Sequence, residues 1–196
     1  MKNIPLLLDV LVPLWSPPVG DDAFKRFNVE YIMRNNIFEN EYNFELVGSV
    51  PQEKTQDNED EFLSAAFFAR KGDVNKAAEW FAENSAQFPE EYKIASGMSR
   101  TYIETLDERT FGLMNSGDIK LSLFVSRKPG AGAALLDALC GKLRAEGWKN
   151  LYLWTDCDCN WCWYEKHGFT LVQKDVYEQF SGPNEPYWTY IFKKPI

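Results

Sequence analysis

Apolar and polar positions change period several times along the chain, and the changes mark its elements. From Ile4 to Trp15 the residues are almost all Leu, Val or Ile, while Pro5, Asp9, Pro13 and Ser16 recur at intervals of four, four and three. That is a polar stripe on a helix, with Pro5 in the first turn where no N–H is required. A strand through Val10, Leu11 and Val12 is the alternative. Ser16-Pro17-Pro18-Val19-Gly20 breaks the chain, and Asp21 or Asp22 then caps a helix running to about Asn35. Alternation over residues 43–50 predicts a strand, Pro51 to Asp60 a polar, acidic tip, and Phe62 to Ala69 the returning antiparallel strand.

Residues 72–116 read as helical. Asp73 is the expected cap of one helix, and Pro89-Glu90-Glu91 opens a second that carries Tyr92, Ile94, Met98, Tyr102 and Ile103. A third, short helix is expected over Glu108 to Met114. The run Ile119 to Ser126 is apolar on both faces, as in a central strand. Leu135, Leu136, Leu139 and Leu143 then mark a helix from Ala131 to Glu146, closed by Gly147, before the apolar strand Leu151 to Thr155. Strand, helix and strand make a crossover, so the two strands are expected to be parallel. After a short helix, Phe169 to Gln173 and Trp188 to Phe192 form an antiparallel pair joined through residues 181–186.

With 196 residues, 45% hydrophobic and 15% aromatic, the chain is expected to be a single packed α/β domain over 1–196 with a helical insertion at about 72–116. A formal net charge of −8 argues against nucleic acid as a partner and favours a cationic substrate. No apolar run reaches membrane-span length, and Asp9 and Pro13 interrupt the only leader-like stretch, so a cytoplasmic protein is expected.

Two stretches carry candidate chemistry. Arg127-Lys128-Pro129-Gly130-Ala131-Gly132 joins a strand to a helix. A helix beginning there offers N–H groups without internal partners, glycines let a ligand approach the backbone, and Arg127 and Lys128 add positive charge. The second is Tyr164-Glu165-Lys166-His167-Gly168-Phe169, after the second strand. The cluster Cys157, Cys159 and Cys162 with His167 invites a zinc or nucleophilic reading. It sits in one strand-to-helix transition without a second ligand pair, however, so no metal is expected and reduced thiols are preferred.

Together, Arg127-x-x-Gly130-x-Gly132 and Tyr164-x-x-x-Gly168-Phe169 resemble the marks of the GCN5-related N-acetyltransferases (GNAT). The resemblance implies a mixed sheet with antiparallel N-terminal strands, a central parallel pair around a crossover helix, and antiparallel C-terminal strands. It implies acetyl-coenzyme A as cosubstrate. Arg127, Lys128, Gly130, Ala131, Gly132 and Ala133 would hold the pyrophosphate, Phe124 and Val125 would lie nearest the pantetheine arm, and Asn160 would cap the short helix or touch that arm. It further implies that the parallel strands splay around the thioester and that Tyr164 protonates the departing thiolate. The acceptor is then a small-molecule or peptide amine, with Asp156, Asp158 and Glu45 open as bases. Trp15, Phe24, Phe27, Tyr31, Tyr187 and Trp188 are candidates to line an acceptor pocket. The insertion has three readings: a cover for the acceptor site, a support for a homodimer, or an extension of the core. The alternative function is a non-catalytic acetyl-coenzyme A-binding or sensor module of the same fold.

Overall fold

The computed structural model describes residues 4–49 and 60–196, so the expected acidic tip at 51–60 lies, up to residue 59, outside the described residues. Helix α1 (Ile4–Trp15) leads to α2 (Asp22–Asn35), whose first turn is capped by the Asp21 carboxylate accepting from the Phe24 N–H at 2.8 Å. The chain continues through β1 (Asn43–Ser49), β2 (Asp60–Ala69), α3 (Ala77–Asn84), α4 (Glu90–Leu113), β3 (Asp118–Ser126) and α5 (Ala131–Ala145). It closes with β4 (Asn150–Asp156), α6 (Cys162–Lys166), β5 (Thr170–Val176), a 3-10 turn over Glu178–Phe180, and β6 (Trp188–Pro195).

The strands form one sheet of order β1-β2-β3-β4-β6-β5, in which only β3 and β4 run parallel. This is the α/β architecture that the resemblance implies. Leu135, Leu136, Leu139 and Leu143 of α5 pack on Ala66, Phe68, Ile119, Leu121, Leu151, Leu153 and Phe192 and cover one face. On the other face, α1 and α2 cover β2 and β3 through Leu7, Leu8, Leu11, Val29 and Met33, and α4 covers β4.

The helical block differs from expectation in two ways. Asp73 does not cap α3: its carboxylate accepts from the Arg70 N–H and Asn40 Nδ2, while Asn75 Oδ1 takes the Ala77 N–H. The two helices expected after Pro89 are one 24-residue helix. Its buried stripe changes partner part-way, from α2, where Ser96 Oγ donates to Asn28 Oδ1 at 2.8 Å, to the sheet below Tyr102 and Leu106. Asp107 interrupts that stripe in sequence, yet it is buried in space beside Lys120. Phe24, Phe27 and Tyr31, named as candidates for an acceptor pocket, are buried. The insertion covers them, with Phe24 stacked on Tyr92 at 4.1 Å and Phe27 on Trp80 at 5.1 Å.

Candidate active site

β3 and β4 pair over only three residues, Asp118 with Asn150, Ile119 with Leu151 and Lys120 with Tyr152. Beyond that β3 keeps its partner β2 and β4 keeps β6, so the two parallel strands part towards their C-terminal ends. The parting begins at a β-bulge. Phe68 lies opposite Leu121 and Phe67 opposite Leu123, leaving Ser122 as the extra residue, its hydroxyl directed at the Asn36 and Phe67 carbonyls. A bulge bends a strand and shifts the phase of its faces. Ile119 and Leu121 therefore face α5, whereas Leu123 and Val125 face α1 and Phe124 returns to the α5 side.

This phase decides which backbone groups line the gap. The Arg127 N–H donates to Leu63 O at 2.8 Å and Val125 O accepts from Ser64 Oγ at 2.7 Å, so both turn to β2. Alternation along a strand then turns the N–H and C=O of Phe124 and Ser126 towards the gap. Val125, named with Phe124 from the sequence, has its side chain in the core and its carbonyl on the far side.

The glycine turn is exposed from Ser126 to Gly130. Gly130 has φ +83°, a left-handed conformation that suits glycine, and Gly132 is held by space, since a Cβ there would meet Phe124 Cζ and Ser126 Cβ at 3.1 Å. Part of the helix terminus is already engaged: the Gly132 N–H donates to Ser126 Oγ at 3.0 Å and the Ala131 N–H to Lys128 O at 3.2 Å. Arg127 and Lys128 stand exposed beside it, and Ala133 is half-buried. The turn fits an anionic group through its bare glycine backbone and flanking cations, with fewer free N–H groups than an uncapped terminus.

Tyr164 lies on α6, across the gap. Its ring packs edge-on against Phe169 at 5.5 Å and near Phe192 at 6.0 Å, and Trp163 reaches Phe124 of β3 at 5.5 Å. Among the described residues no hydrogen bond engages the Tyr164 hydroxyl. Burial, then the nearby Cys159 and Asp156, hold that phenol above its ordinary pKa, so it is a protonated donor at neutral pH. Asn160 does not cap α6 with its side chain; its carbonyl accepts from the Trp163 N–H instead, and the residue is exposed.

The cysteines and His167 are dispersed. His167 stacks on Trp163 at 3.7 Å with Nδ1 2.8 Å from Trp163 O, Cys140 is buried on α5, and Cys157 and Cys159 are on the exposed turn after β4. Although Cys159 is exposed as a residue, desolvation of its thiol and the Asp156 carboxylate push it up to about 12. Among the described residues no group of three or more His, Cys, Asp or Glu side chains is arranged to hold a metal ion.

Of the three acidic candidates, the structure brings one to Tyr164. Asp156 ends β4 and is 8% exposed. Glu45 lies on β1, with β2 and β3 between it and β4, and Asp158 is exposed. Asp156 Oδ2 accepts from Tyr102 Oη at 2.8 Å and Oδ1 from the Asp158 N–H at 3.2 Å. Tyr187 lies beside the same carboxylate, and burial followed by the Asp156 charge raises the pKa of both phenols. Around Tyr102 stand Tyr177 at 4.8 Å, Phe180 at 4.9 Å, Trp154 at 5.6 Å and Tyr187 at 6.1 Å. Ser181 pins the loop that brings them in, accepting from the Tyr187 N–H at 2.9 Å and donating to Tyr177 O at 3.0 Å.

No family model and no curated protein sequence matches the chain. Among solved structures it is similar to the ribosomal-protein-S18-alanine N-acetyltransferase of Escherichia coli, at 13% identity and a TM-score of 0.46, covering 100% of this chain and 90% of that one. It is also similar to an apo form of an agmatine N-acetyltransferase variant, at 14% identity and a TM-score of 0.44, covering 96% and 88%. A Bacillus subtilis acetyltransferase in complex with CoA matches at 13% identity and a TM-score of 0.35, over 42% of this chain and 64% of that one. Each is a likeness of backbone arrangement at low identity.

Sequence reasoning did not single out Tyr102 as the partner of Asp156. Tyr102 reads as one more member of an apolar helix stripe, and only its hydroxyl, bonded to a carboxylate 54 positions away, sets it apart. Lys120, the one lysine in the central strand β3, is 0% exposed and its ammonium meets Asp107, which also accepts from Trp154 Nε1 at 2.6 Å.

Proposed function

We propose that the protein is an acetyl-coenzyme A-dependent N-acetyltransferase acting on an amine by direct transfer. The observation that carries this is the parting of β3 and β4, with Tyr164 reaching its mouth from the α5 face and Asp156 from the α4 face. Acetyl-coenzyme A supplies the activated acetyl group. Arg127, Lys128 and the Gly130–Ala133 backbone hold its phosphates, and Phe124 borders the arm that enters the gap. The Phe124 N–H donates to the carbonyl oxygen as negative charge develops there. Asp156, directly or through water, takes the proton that the nitrogen loses as the N–C bond forms. Tyr164 donates to the sulfur as the C–S bond breaks and the electron pair moves to it. Because its pKa is raised, Tyr164 acts more as a hydrogen-bond donor to that sulfur than as a strong acid.

Thiol release from acetyl-coenzyme A, followed with a panel of primary amines, tests this. Amine-dependent release is the expected result. Saturable binding of acetyl-coenzyme A without release for any amine would favour the alternative, a sensor module. Absence of binding at millimolar coenzyme would overturn both.

A further inference from the structure

Helix α1 is apolar on both sides. Leu7, Leu8 and Leu11 form its inner face, buried against β2 and β3. Its outer face carries Leu6, Val10 and Leu14, spaced by four and therefore in one row along the helix. Leu6 is 37% and Leu14 70% exposed, Val10 is half-buried, and Pro13 beside them is exposed. Asp9 is the only charged residue of the helix. A surface helix ordinarily turns a polar face to water, and a row of apolar side chains in that place marks a contact surface. The edge of the row carries both signs of charge. Asp9 Oδ1 lies 3.5 Å from Arg26 Nη1 of α2, and the two side chains remain 66% and 48% exposed. An ion pair this exposed contributes little within one chain and leaves each group open to a second partner.

We infer that two copies of this chain associate through α1, the outer row of one helix packing on the same row of the other about a two-fold axis at Val10. A two-fold dimer uses one patch twice, so the patch has to be complementary to itself. This one is. Val10 is the midpoint of the row, and antiparallel copies crossing there set Leu6 of each against Leu14 of the partner subunit. Rows of that spacing interdigitate in the commonest class of helix packing. In an antiparallel pair each flank meets its own equivalent, so Asp9 of each copy comes to Arg26 of the partner subunit and the charges match on both rims. A lipid surface fits less well. Helices that lie on membranes carry several cations on the polar face, whereas α1 has none and the chain carries a formal net charge of −8. The inference does not depend on the acetyl-transfer reading.

Sedimentation velocity on the full chain, from about 1 to about 100 micromolar, reads the association directly. The expected result is a monomer that passes to a dimer across that range. Leu14→Glu, at a position already facing water, should keep the parent circular dichroism and weaken the dimer about tenfold or more. Asp9→Arg and Arg26→Asp should each weaken self-association several-fold, because each places like charges on both rims. An equimolar mixture of those two variants should recover it, since opposite charges then face each other across the interface. Recovery on mixing requires contact between copies and cannot come from an effect within either chain. A parent that stays monomeric at about 100 micromolar, a dimer untouched by Leu14→Glu, or charge variants that fail to recover on mixing overturns the inference. A monomeric parent that binds phosphatidylserine vesicles assigns the face to lipid and overturns it as well.

Discussion

Two buried carboxylates lie on opposite sides of the interface between α4 and β4, and their partners are reciprocal. Asp107 of α4 accepts from Trp154 of β4, and Asp156 of β4 accepts from Tyr102 of α4. They differ in charge balance. Asp107 is neutralised by the Lys120 ammonium, itself flanked by the rings of Phe38 at 5.2 Å and Phe111 at 5.0 Å. Asp156 has only neutral donors among the described residues. The first arrangement is complete within the chain and ties the insertion to the sheet. The second has no cation of its own and lies at the end of the parting strands, where the proposed amine acceptor would arrive. One interface thus holds a carboxylate paired within the chain and one that the proposed mechanism uses, and the presence of a cation distinguishes them.

Removing the cation should expose that contrast most strongly. Lys120→Met leaves Asp107 buried and uncompensated, and a loss of about 3–5 kcal/mol in a denaturant titration is expected. Replacing both partners by apolar residues, Lys120→Met with Asp107→Leu, should recover most of it. A small effect of the single variant would mean that Asp107 is not the structural member of the pair. Asp156→Asn should do the converse, altering stability by under about 1 kcal/mol while lowering amine-dependent thiol release about 100-fold. A variant that unfolds instead would place Asp156 with Asp107.

Tyr164→Phe is expected to lower turnover about 10-fold with little change in coenzyme binding, because a phenol of raised pKa contributes mainly a hydrogen bond. Turnover identical to the parent would remove Tyr164 from the mechanism. The smallest effect should appear at Cys159. At pH 8 its thiol should be alkylated by iodoacetamide several-fold more slowly than an ordinary exposed cysteine, because its pKa is pushed up to about 12 by burial and by Asp156. Mapping the sites by mass spectrometry reads this directly. Asp156→Asn should speed the reaction, and an unchanged rate would mean that the carboxylate charge is not felt there.

These contrasts also divide what was readable in advance. The glycine turn and the Tyr164 segment are short-range features, contiguous in the chain and flanked by elements of clear period. Gly130, Gly132 and Tyr164 are therefore singled out by the resemblance that their contiguous motifs carry. The internal use of the turn's N–H groups by Ser126 and Lys128 was not legible, because the acceptors lie before the helix start and meet those donors only once the turn has folded. The difference among Asp156, Asp158 and Glu45 was equally closed to sequence, since all three are carboxylates and what separates them is burial and place in the sheet.

By itself the sequence determined the helices outside the insertion, the strands, the crossover that makes β3 and β4 parallel, and the two motifs at their ends. Each of these rests on local period, capping chemistry or chain handedness. Only the tertiary structure decided that α4 is continuous, that the bulge at Ser122 turns Phe124 rather than Val125 to the gap, and that Tyr102 meets Asp156. These outcomes depend on contacts between residues tens of positions apart. Their energies come from burial and from the pairing of polar groups, which the order of residues along the chain does not display.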